Sequence, residues 1–210
     1  MRSDSEIATR LLGAGMVALV ESTPDSRPLS HIRLRVGQPF AGPSVTVELP
    51  AGDNLGVHLA LEAAGAGAVV CVASLGRGVY GVVGELLAES ARVRGAAAFV
   101  IDDGIRDLGA LVAPPAIAAR GVSPRGTVKR RVRRPVNTDV SVGGALVRAG
   151  DWIVADADGV CVVPAGDLEN GLAAAESRVA REDALRETLR GGVSTRRALG
   201  LPSDATASIG

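Results

Sequence analysis

The stretch Ala96-Ala-Ala-Phe-Val-Ile-Asp-Asp-Gly-Ile-Arg-Asp107 decides how this chain folds and where its chemistry would lie. The first six residues form an apolar run of the length expected for a buried β-strand, and the charged pair Arg106-Asp107 follows shortly after. A sheet holds the end of such a strand rigid while the next loop directs side chains at a ligand. Arginine offers a planar fork for a carboxylate, and aspartate offers hard oxygens for a divalent cation. The pair is therefore a candidate site, with an ordinary solvated loop pair as the alternative interpretation.

A second acidic residue, Glu85, stands twenty-one positions before Arg106, where the glycines Gly81 and Gly84 open a helical pattern. The start of a helix presents free backbone N–H groups and a positive dipole end, which together suit a carboxylate. We therefore expect Gly84 and the N–H groups of Leu86 and Leu87 to bind a substrate carboxylate. Small and apolar residues then recur at helical spacing, so the helix returns the chain to the strand that ends near Arg106. This strand-helix-strand unit predicts one site built from both of its ends.

Composition favours one layered α/β domain over residues 1–210. The chain is long enough to bury a substantial core, and no linker-like segment divides it. Hydrophobic residues make up 47% of the sequence and aromatic residues only 2%, so the core is expected to consist of Ala, Val, Leu and Ile. Helical and strand patterns alternate before a strand-rich block, as in layered α/β domains. A C-terminal helix is predicted at about 168–190 and a flexible tail at about 196–210.

The pattern of apolar residues predicts individual elements along the chain. The predicted helices cover residues 5–20, 55–64, a segment that begins at Glu85, and 168–190. The predicted strands cover residues 44–49, 69–73, the run ending at Ile101, 116–118, 127–134, 140–147, 152–155 and 159–163.

Charge and cysteine content argue against several classes of partner. Lys and Arg together number 23, as do Asp and Glu, so no global field attracts nucleic acid or an anionic membrane. The basic run 129–134 contains no aromatic residue for base stacking and is interpreted as a solvated strand face or edge. Cys71 and Cys161 lie in apolar patterns and are interpreted as buried residues. With no disulfide framework and no apolar N-terminal run, we expect a cytoplasmic protein without a membrane or nucleic-acid partner.

The acidic residue followed by Arg-Asp resembles the signature of the RraA-like family. That family includes the divalent-metal-dependent 4-hydroxy-4-methyl-2-oxoglutarate aldolases, also called class II pyruvate aldolases. Further segments match in family order between about Gln38 and Ser194: residues 40–47, 50–55, 119–124, 143–144 and 150–164. The resemblance implies a β/β/α swivelling-type domain.

The resemblance also implies a carbon–carbon lyase that acts on a small 2-oxo acid through the enolate of pyruvate, as an aldolase or as an oxaloacetate decarboxylase. In this interpretation Asp107 binds Mg²⁺ or Mn²⁺ directly, and Glu85, in place of the family's Asp, holds a metal-bound water. Arg106 holds the substrate oxygens and balances the enolate charge. A Schiff base is not expected, because Lys129 belongs to the basic run.

The resemblance implies a homotrimer in which an acidic residue of a C-terminal helix approaches the metal-bound waters of the next subunit. Glu182 is the best match for this acid and Glu187 is the alternative, although an amphipathic surface helix alone explains the pattern equally well. The family also includes regulators that inhibit RNase E through protein contacts. A non-catalytic regulator is therefore the alternative function.

One residue departs from the family pattern. Asp103 stands where the family usually has glycine, and the glycine of this chain is the next residue, Gly104. If the position requires a positive φ angle, aspartate is among the less costly replacements. We expect the additional carboxylate either to strengthen metal binding or to repel an anionic substrate.

Overall fold

The protein is described here by a computed structural model covering residues 2–202, and its centre is a nine-stranded sheet. The strands of this sheet are β1 (Arg27–Pro28), β2 (Arg33–Val36), β3 (Phe40–Leu49), β4 (Val69–Ser74), β5 (Gly81–Val83), β6 (Ala98–Ile105), β7 (Ala116–Val122), β10 (Trp152–Ala155) and β11 (Val160–Val163). A separate hairpin consists of β8 (Val140–Val142) and β9 (Ala145–Val147). Every residue of β4 and β6 is buried, as expected for apolar strands covered on both faces.

The main sheet has the order β1-β11-β10-β3-β4-β6-β7-β2, and β5 pairs with the end of β6. The four central strands β3, β4, β6 and β7 are parallel, whereas the outer strands β10, β11, β1 and β2 pair in antiparallel fashion. The carboxyl ends of the central strands therefore meet at one edge of the sheet, where α/β proteins commonly bind ligands.

Helices cover one face of the sheet and the β8–β9 hairpin covers the other. The helices are α1 (Asp4–Ala14), α2 (Met16–Ser22), α3 (Leu55–Ala63), α4 (Glu85–Arg94), α5 (Leu168–Arg190) and α6 (Thr195–Ala198). Residues of α3 and α4 pack against Val70, Phe99 and Ile101, while Val142 and Val147 of the hairpin share a core with Cys71 and Val100. The expected layered β/β/α arrangement is confirmed.

The N-terminal helix is not continuous over residues 5–20. It divides into α1 and α2 at Gly15, whose φ of 79° lies in the left-handed region where glycine is favoured. Leu11 of α1 and Met16 of α2 are buried, whereas Leu12, the next residue of α1, is exposed. Together with α5, these helices form a third core over Trp152 and its neighbours.

The bounds of several other elements differ from those that the apolar pattern predicts. Strands β3 and β7 are longer than expected, and residues 127–134 form no strand apart from one bridge between Asp53 and Val128. The C-terminal helix matches the predicted range. Part of the expected flexible tail instead forms α6, and residues 203–210 of that tail lie outside the described residues. The single domain stays a prediction.

Both cysteines are buried, as predicted. Burial raises the pKa of the Cys71 thiol far above its ordinary value and that of Cys161 to about 11, so neither is a ready nucleophile. Among the described residues, no helix is long and apolar enough to cross a bilayer.

Candidate functional site

Arg106 and Asp107 lie at the carboxyl end of β6, where the sequence placed them. The Arg106 N–H donates to the Val83 carbonyl at 2.9 Å, which ties the strand end to β5. Asp107 has a φ of 55°, a left-handed conformation that is uncommon for a residue other than glycine. Backbone strain of this kind concentrates at functional sites, where it fixes the direction of a side chain. The strained position is thus Asp107, not Asp103 as the family pattern suggested.

Helix α4 begins directly beside this pair. Its first N–H, from Glu85, points at Asp107 Oδ2 at 3.4 Å. A Cβ on Gly84 would overlap that same carboxylate oxygen and press on Arg106, so a larger residue here would displace both side chains. The N–H groups of Leu86 and Leu87 also belong to the first turn, which leaves them without acceptors inside the helix. These two N–H groups are therefore available to an acceptor from outside the helix, and the binding of a substrate carboxylate there stays a prediction.

These residues share one cavity of about 390 Å³. Its lining consists of Asn54, His58, Val82, Gly84, Glu85, Leu86, Leu87, Arg106, Asp107 and Lys129. Arg106 Nε and Asp107 Oδ2 are 3.5 Å apart, with side chains 37% and 45% exposed. An ion pair this open to water is weak, so both groups remain free to bind a ligand. All six site residues predicted around the Arg-Asp pair meet here.

The sequence interpretation missed three polar residues of this cavity, namely Asn54, His58 and Lys129. The Asn54 side chain donates to the Val82 carbonyl at 2.9 Å, but its buried Oδ1 has no partner among the described residues. His58 Nε2 is likewise buried and unpartnered within that part of the chain. Unmatched buried polar atoms are rare in native proteins and call for a bound water or ligand.

The charge state of His58 follows from its surroundings. Burial lowers the pKa of the imidazole, and the positive charge of Lys129 lowers it further, while Glu62 opposes them. A neutral ring can donate one hydrogen bond and accept another.

The position of Lys129 contradicts the expectation that no lysine lies at the site. It is the only lysine in the chain, and it lines the cavity instead of extending along a strand edge. Its segment is fixed by Asp53, whose Oδ2 accepts the N–H groups of Arg130 and Arg131 at 2.9 Å each. Burial alone would raise the pKa of Asp53, but these donors and the Leu55 N–H together hold it below its ordinary value.

Asp103 does not line this cavity, so the structure shows no direct contact through which it would act on a metal or substrate there. The residue is fully buried. It accepts hydrogen bonds from the Ser74 hydroxyl at 2.5 Å and from the N–H groups of Gly78 and Tyr80 at 2.8 and 3.0 Å. The additional carboxylate therefore orders the loop of residues 75–80 and leaves the Arg106–Asp107 site to other groups.

Glu182 lies on α5, where its carboxylate pairs with Arg178 at 2.8 Å and with Arg186 at 3.7 Å. It does not line the cavity of its own subunit. No cluster of three or more acidic, His or Cys residues suited to a metal occurs among the described residues. Asp107 and Glu85 still fit a hard cation, because Mg²⁺ commonly uses one or two carboxylates and keeps several waters.

The protein is an α/β domain with a cavity at the carboxyl ends of its parallel strands, and charged side chains form part of the cavity lining. The chain belongs to the RraA-like family, described as Aldolase/RraA, whose model matches residues 18–162.

Relatives and solved structures agree with this assignment. A protein of Halalkalibacterium halodurans, provisionally named 4-hydroxy-4-methyl-2-oxoglutarate aldolase, is 32% identical over 91% of this chain and 89% of its own length. The RNA-processing inhibitor RraA from Thermus thermophilis is 28% identical, with a TM-score of 0.63 over 70% of this chain and 91% of that one. RraAS2 of Streptomyces coelicolor shares the fold at 23% identity, with a TM-score of 0.75 over 89% and 98%.

Proposed function

We propose that the protein is a divalent-metal-dependent lyase that releases pyruvate from a small 2-oxo acid, as a 4-hydroxy-4-methyl-2-oxoglutarate-type aldolase or as an oxaloacetate decarboxylase. One observation carries the proposal: the strained backbone of Asp107 directs a solvent-accessible carboxylate next to Arg106 and the start of α4 in one cavity. The name of the 32% identical relative supports the same activity.

Each residue has a chemical role in this proposal. Asp107 would hold Mg²⁺ or Mn²⁺ directly and Glu85 would hold it through a water, and the ion supplies Lewis acidity at the 2-oxo group when bound. The N–H groups of Leu86 and Leu87 receive the substrate carboxylate. Arg106 donates to the substrate oxygens and balances the negative charge that grows on them as the carbon–carbon bond breaks.

Lys129 and His58 line the same cavity and are available to the remainder of the substrate. The ammonium group suits an anionic substituent, and the neutral imidazole can hydrogen-bond a hydroxyl. The position of Lys129 also favours a second mechanism, in which this amine forms a Schiff base with the 2-oxo group. We assign Lys129 to binding because Asp107 and Glu85 provide the ligands for a metal route.

Pyruvate release from oxaloacetate separates these mechanisms. We expect activity with Mg²⁺ or Mn²⁺, no activity in excess EDTA, and full survival of borohydride treatment in the presence of substrate. Lys129→Met should raise KM much more than it lowers kcat. Turnover in EDTA, combined with trapping by borohydride that Lys129→Met abolishes, would establish the Schiff base and refute the metal route.

The assembly is also part of the proposal. We infer a homotrimer in which the Glu182 carboxylate of one subunit binds the metal-bound waters of the next subunit. Mixing inactive Asp107→Asn protein with inactive Glu182→Gln protein should restore partial activity, since some interfaces then unite two intact halves. Glu187→Gln, which changes the alternative acid on the same helix, should stay active; an inactive Glu187→Gln protein beside an active Glu182→Gln protein would assign the role to Glu187. An active monomer, or no recovery when the two variants exchange subunits, would refute the shared site.

The alternative function is a regulator that binds a protein partner, and the likeness to the RNA-processing inhibitor favours it specifically. A regulator needs neither a cation nor Asp107. The alternative gains support if the protein releases no pyruvate with any divalent cation and inhibits RNase E equally well with Asp107→Asn.

A further inference from the structure

A second and larger cavity, of about 570 Å³, opens on the sheet face covered by the β8–β9 hairpin. Its lining consists of Ser30, His31, Glu48, Ala73, Ser74, Leu75, Arg77, Asp102, Arg120, Ser141, Gly143 and Gly144. It shares no lining residue with the Arg106–Asp107 cavity. Residues of α3 and α4 line the Arg106–Asp107 cavity on the helical face of the sheet, whereas this second cavity lies on the hairpin face. Successive residues of a strand point to opposite sides, so Asp102 faces the second cavity and Asp103 faces away from it.

The floor of this second cavity is a charged pair. Arg120 Nε donates to Asp102 Oδ1 at 2.8 Å, and its NH2 donates to the same oxygen. The Gly143 N–H donates to Asp102 Oδ2 at 3.1 Å. Both oxygens of Asp102 are thereby occupied, whereas Arg120 NH1 has no acceptor among residues 2–202. The guanidinium thus keeps hydrogen-bonding capacity for a ligand.

A second guanidinium, that of Arg77, stands on the wall of the cavity. Arg77 has a left-handed φ of 50° and forms no ion pair within the described part of the chain. Its loop is held by Asp103, which binds the N–H groups of Gly78 and Tyr80 from the other face of the sheet. Gly78 packs so closely on Arg120 that a Cβ would lie 3.0 Å from Arg120 Cδ. The carboxylate at the family's glycine position therefore fixes the loop that brings Arg77 beside Arg120.

The remaining polar lining of the cavity carries little free negative charge. Glu48 is paired with Arg133 at 2.8 Å and with Arg134 at 3.7 Å, which offsets its charge. Its remaining lone pairs and the hydroxyls of Ser30 and Ser141 can bind hydroxyl groups. The volume exceeds what a bare inorganic ion needs.

From these contacts we infer that the second cavity binds a small hydroxylated organic anion, whose carboxylate or phosphate lies against Arg77 and Arg120 while its hydroxyls face Glu48 and the serines. Guanidinium groups suit both kinds of oxyanion, because their planar N–H forks match carboxylate and phosphate geometry. This ligand site is independent of the proposed lyase activity.

Isothermal titration of the full-length protein with glycerol 3-phosphate and with glycerate tests the inference and distinguishes phosphate from carboxylate. One of the two should bind, and uncharged glycerol should not. Arg77→Ala should weaken binding by about tenfold or more, the effect of one lost charge-assisted hydrogen bond. Arg94→Ala removes the same charge from the exposed end of α4 and should leave affinity unchanged.

Two further variants keep the test decisive. Asp107→Asn should bind the probe as the native protein does, because the site is on the other face of the sheet. Asp103→Asn should weaken binding if it remains folded, because it releases the loop that holds Arg77. The inference is overturned if neither probe binds, if Arg77→Ala binds normally, or if a folded Asp107→Asn protein loses binding.

Discussion

The segment 102–107 contains three aspartates, of which the first two are buried and the last is exposed. Asp102 and Asp103 lie inside β6, buried, with each carboxylate oxygen already accepting hydrogen bonds from the protein. Asp107 lies just past the strand end, 45% exposed, and its neighbours there are Arg106 and the start of α4. A carboxylate whose oxygens are all matched by protein donors holds the fold together. One with open oxygens can bind a cation, so chemistry is expected at Asp107 and stability at Asp103.

The largest effect should come from Asp107→Asn. The amide keeps the size of the side chain but loses the charge that would hold a cation. Lewis-acid stabilisation amounts to several kcal/mol, so pyruvate release should fall on the order of 10³-fold. The midpoint of urea unfolding should remain within the range of the native protein, since the side chain is exposed. Activity retained at the native level would mean that the strand end is not the metal site.

Arg106→Lys should have the next largest effect. An ammonium is a point charge and cannot reproduce the two parallel donors of a guanidinium. Removing one donor to a developing oxyanion costs about 10²- to 10³-fold in rate, and the retained charge favours the lower end of that range. Steady-state kinetics with oxaloacetate give the measurement. Arg125→Lys provides the matched control, because Arg125 lies over the ring of Tyr80 and outside the lining of the cavity.

Asp103→Asn should lower stability more than activity, the opposite of the effect expected for Asp107→Asn. The amide nitrogen would face the N–H groups of the 75–80 loop, leaving buried donors unmatched. Loss of hydrogen bonds to a buried charge should reduce the free energy of unfolding by about 3 kcal/mol. Metal-dependent turnover per folded molecule should change by less than it does in Arg106→Lys. Urea unfolding and active-site titration of the same preparation check both halves of this expectation.

Asp53→Asn should give the smallest effect and one that depends on pH. The folded protein holds the pKa of Asp53 below its unfolded value, so the carboxylate stabilises the fold above the unfolded pKa, and this contribution disappears as pH falls through the folded pKa. The variant should lose about 1–2 kcal/mol at pH 7 and little at strongly acidic pH. Asp25→Asn, an exposed residue, is the control. A stability difference independent of pH would contradict the assigned role.

Local patterns predicted most of the fold and the part of the cavity lining that lies around Arg106 and Asp107. The buried runs of β4 and β6 and the glycines before α4 are short-range signals, so the strand-helix-strand unit and the position of Glu85, Arg106 and Asp107 could be inferred from them. The segment 127–134 combines two valines with five charged residues and forms no strand, because Asp53 binds the backbone N–H groups of Arg130 and Arg131. A tertiary contact of this kind leaves no periodic signal.

The missed residues came from distant parts of the chain. Asn54 and His58 reach the cavity because β3 and β4 are parallel neighbours, which places α3 beside the end of β6. Their spacing of four residues at the start of a helix puts them on one face, a signal that was available but not specific. Lys129 could have been noticed as the only lysine in a chain rich in arginine. Asp103 was misassigned because burial inside a strand cannot be seen from a motif that usually has glycine.

Direct binding of Mn²⁺ tests the central claim without depending on any substrate. Electron paramagnetic resonance with the native protein, Asp107→Asn and Asp103→Asn would count bound Mn²⁺ per folded chain. The account predicts that Asp103→Asn retains the ion at native stoichiometry and that Asp107→Asn loses it. Retention by Asp107→Asn together with loss in a folded Asp103→Asn protein would contradict it, since the buried carboxylate and not the exposed one would then be the ligand.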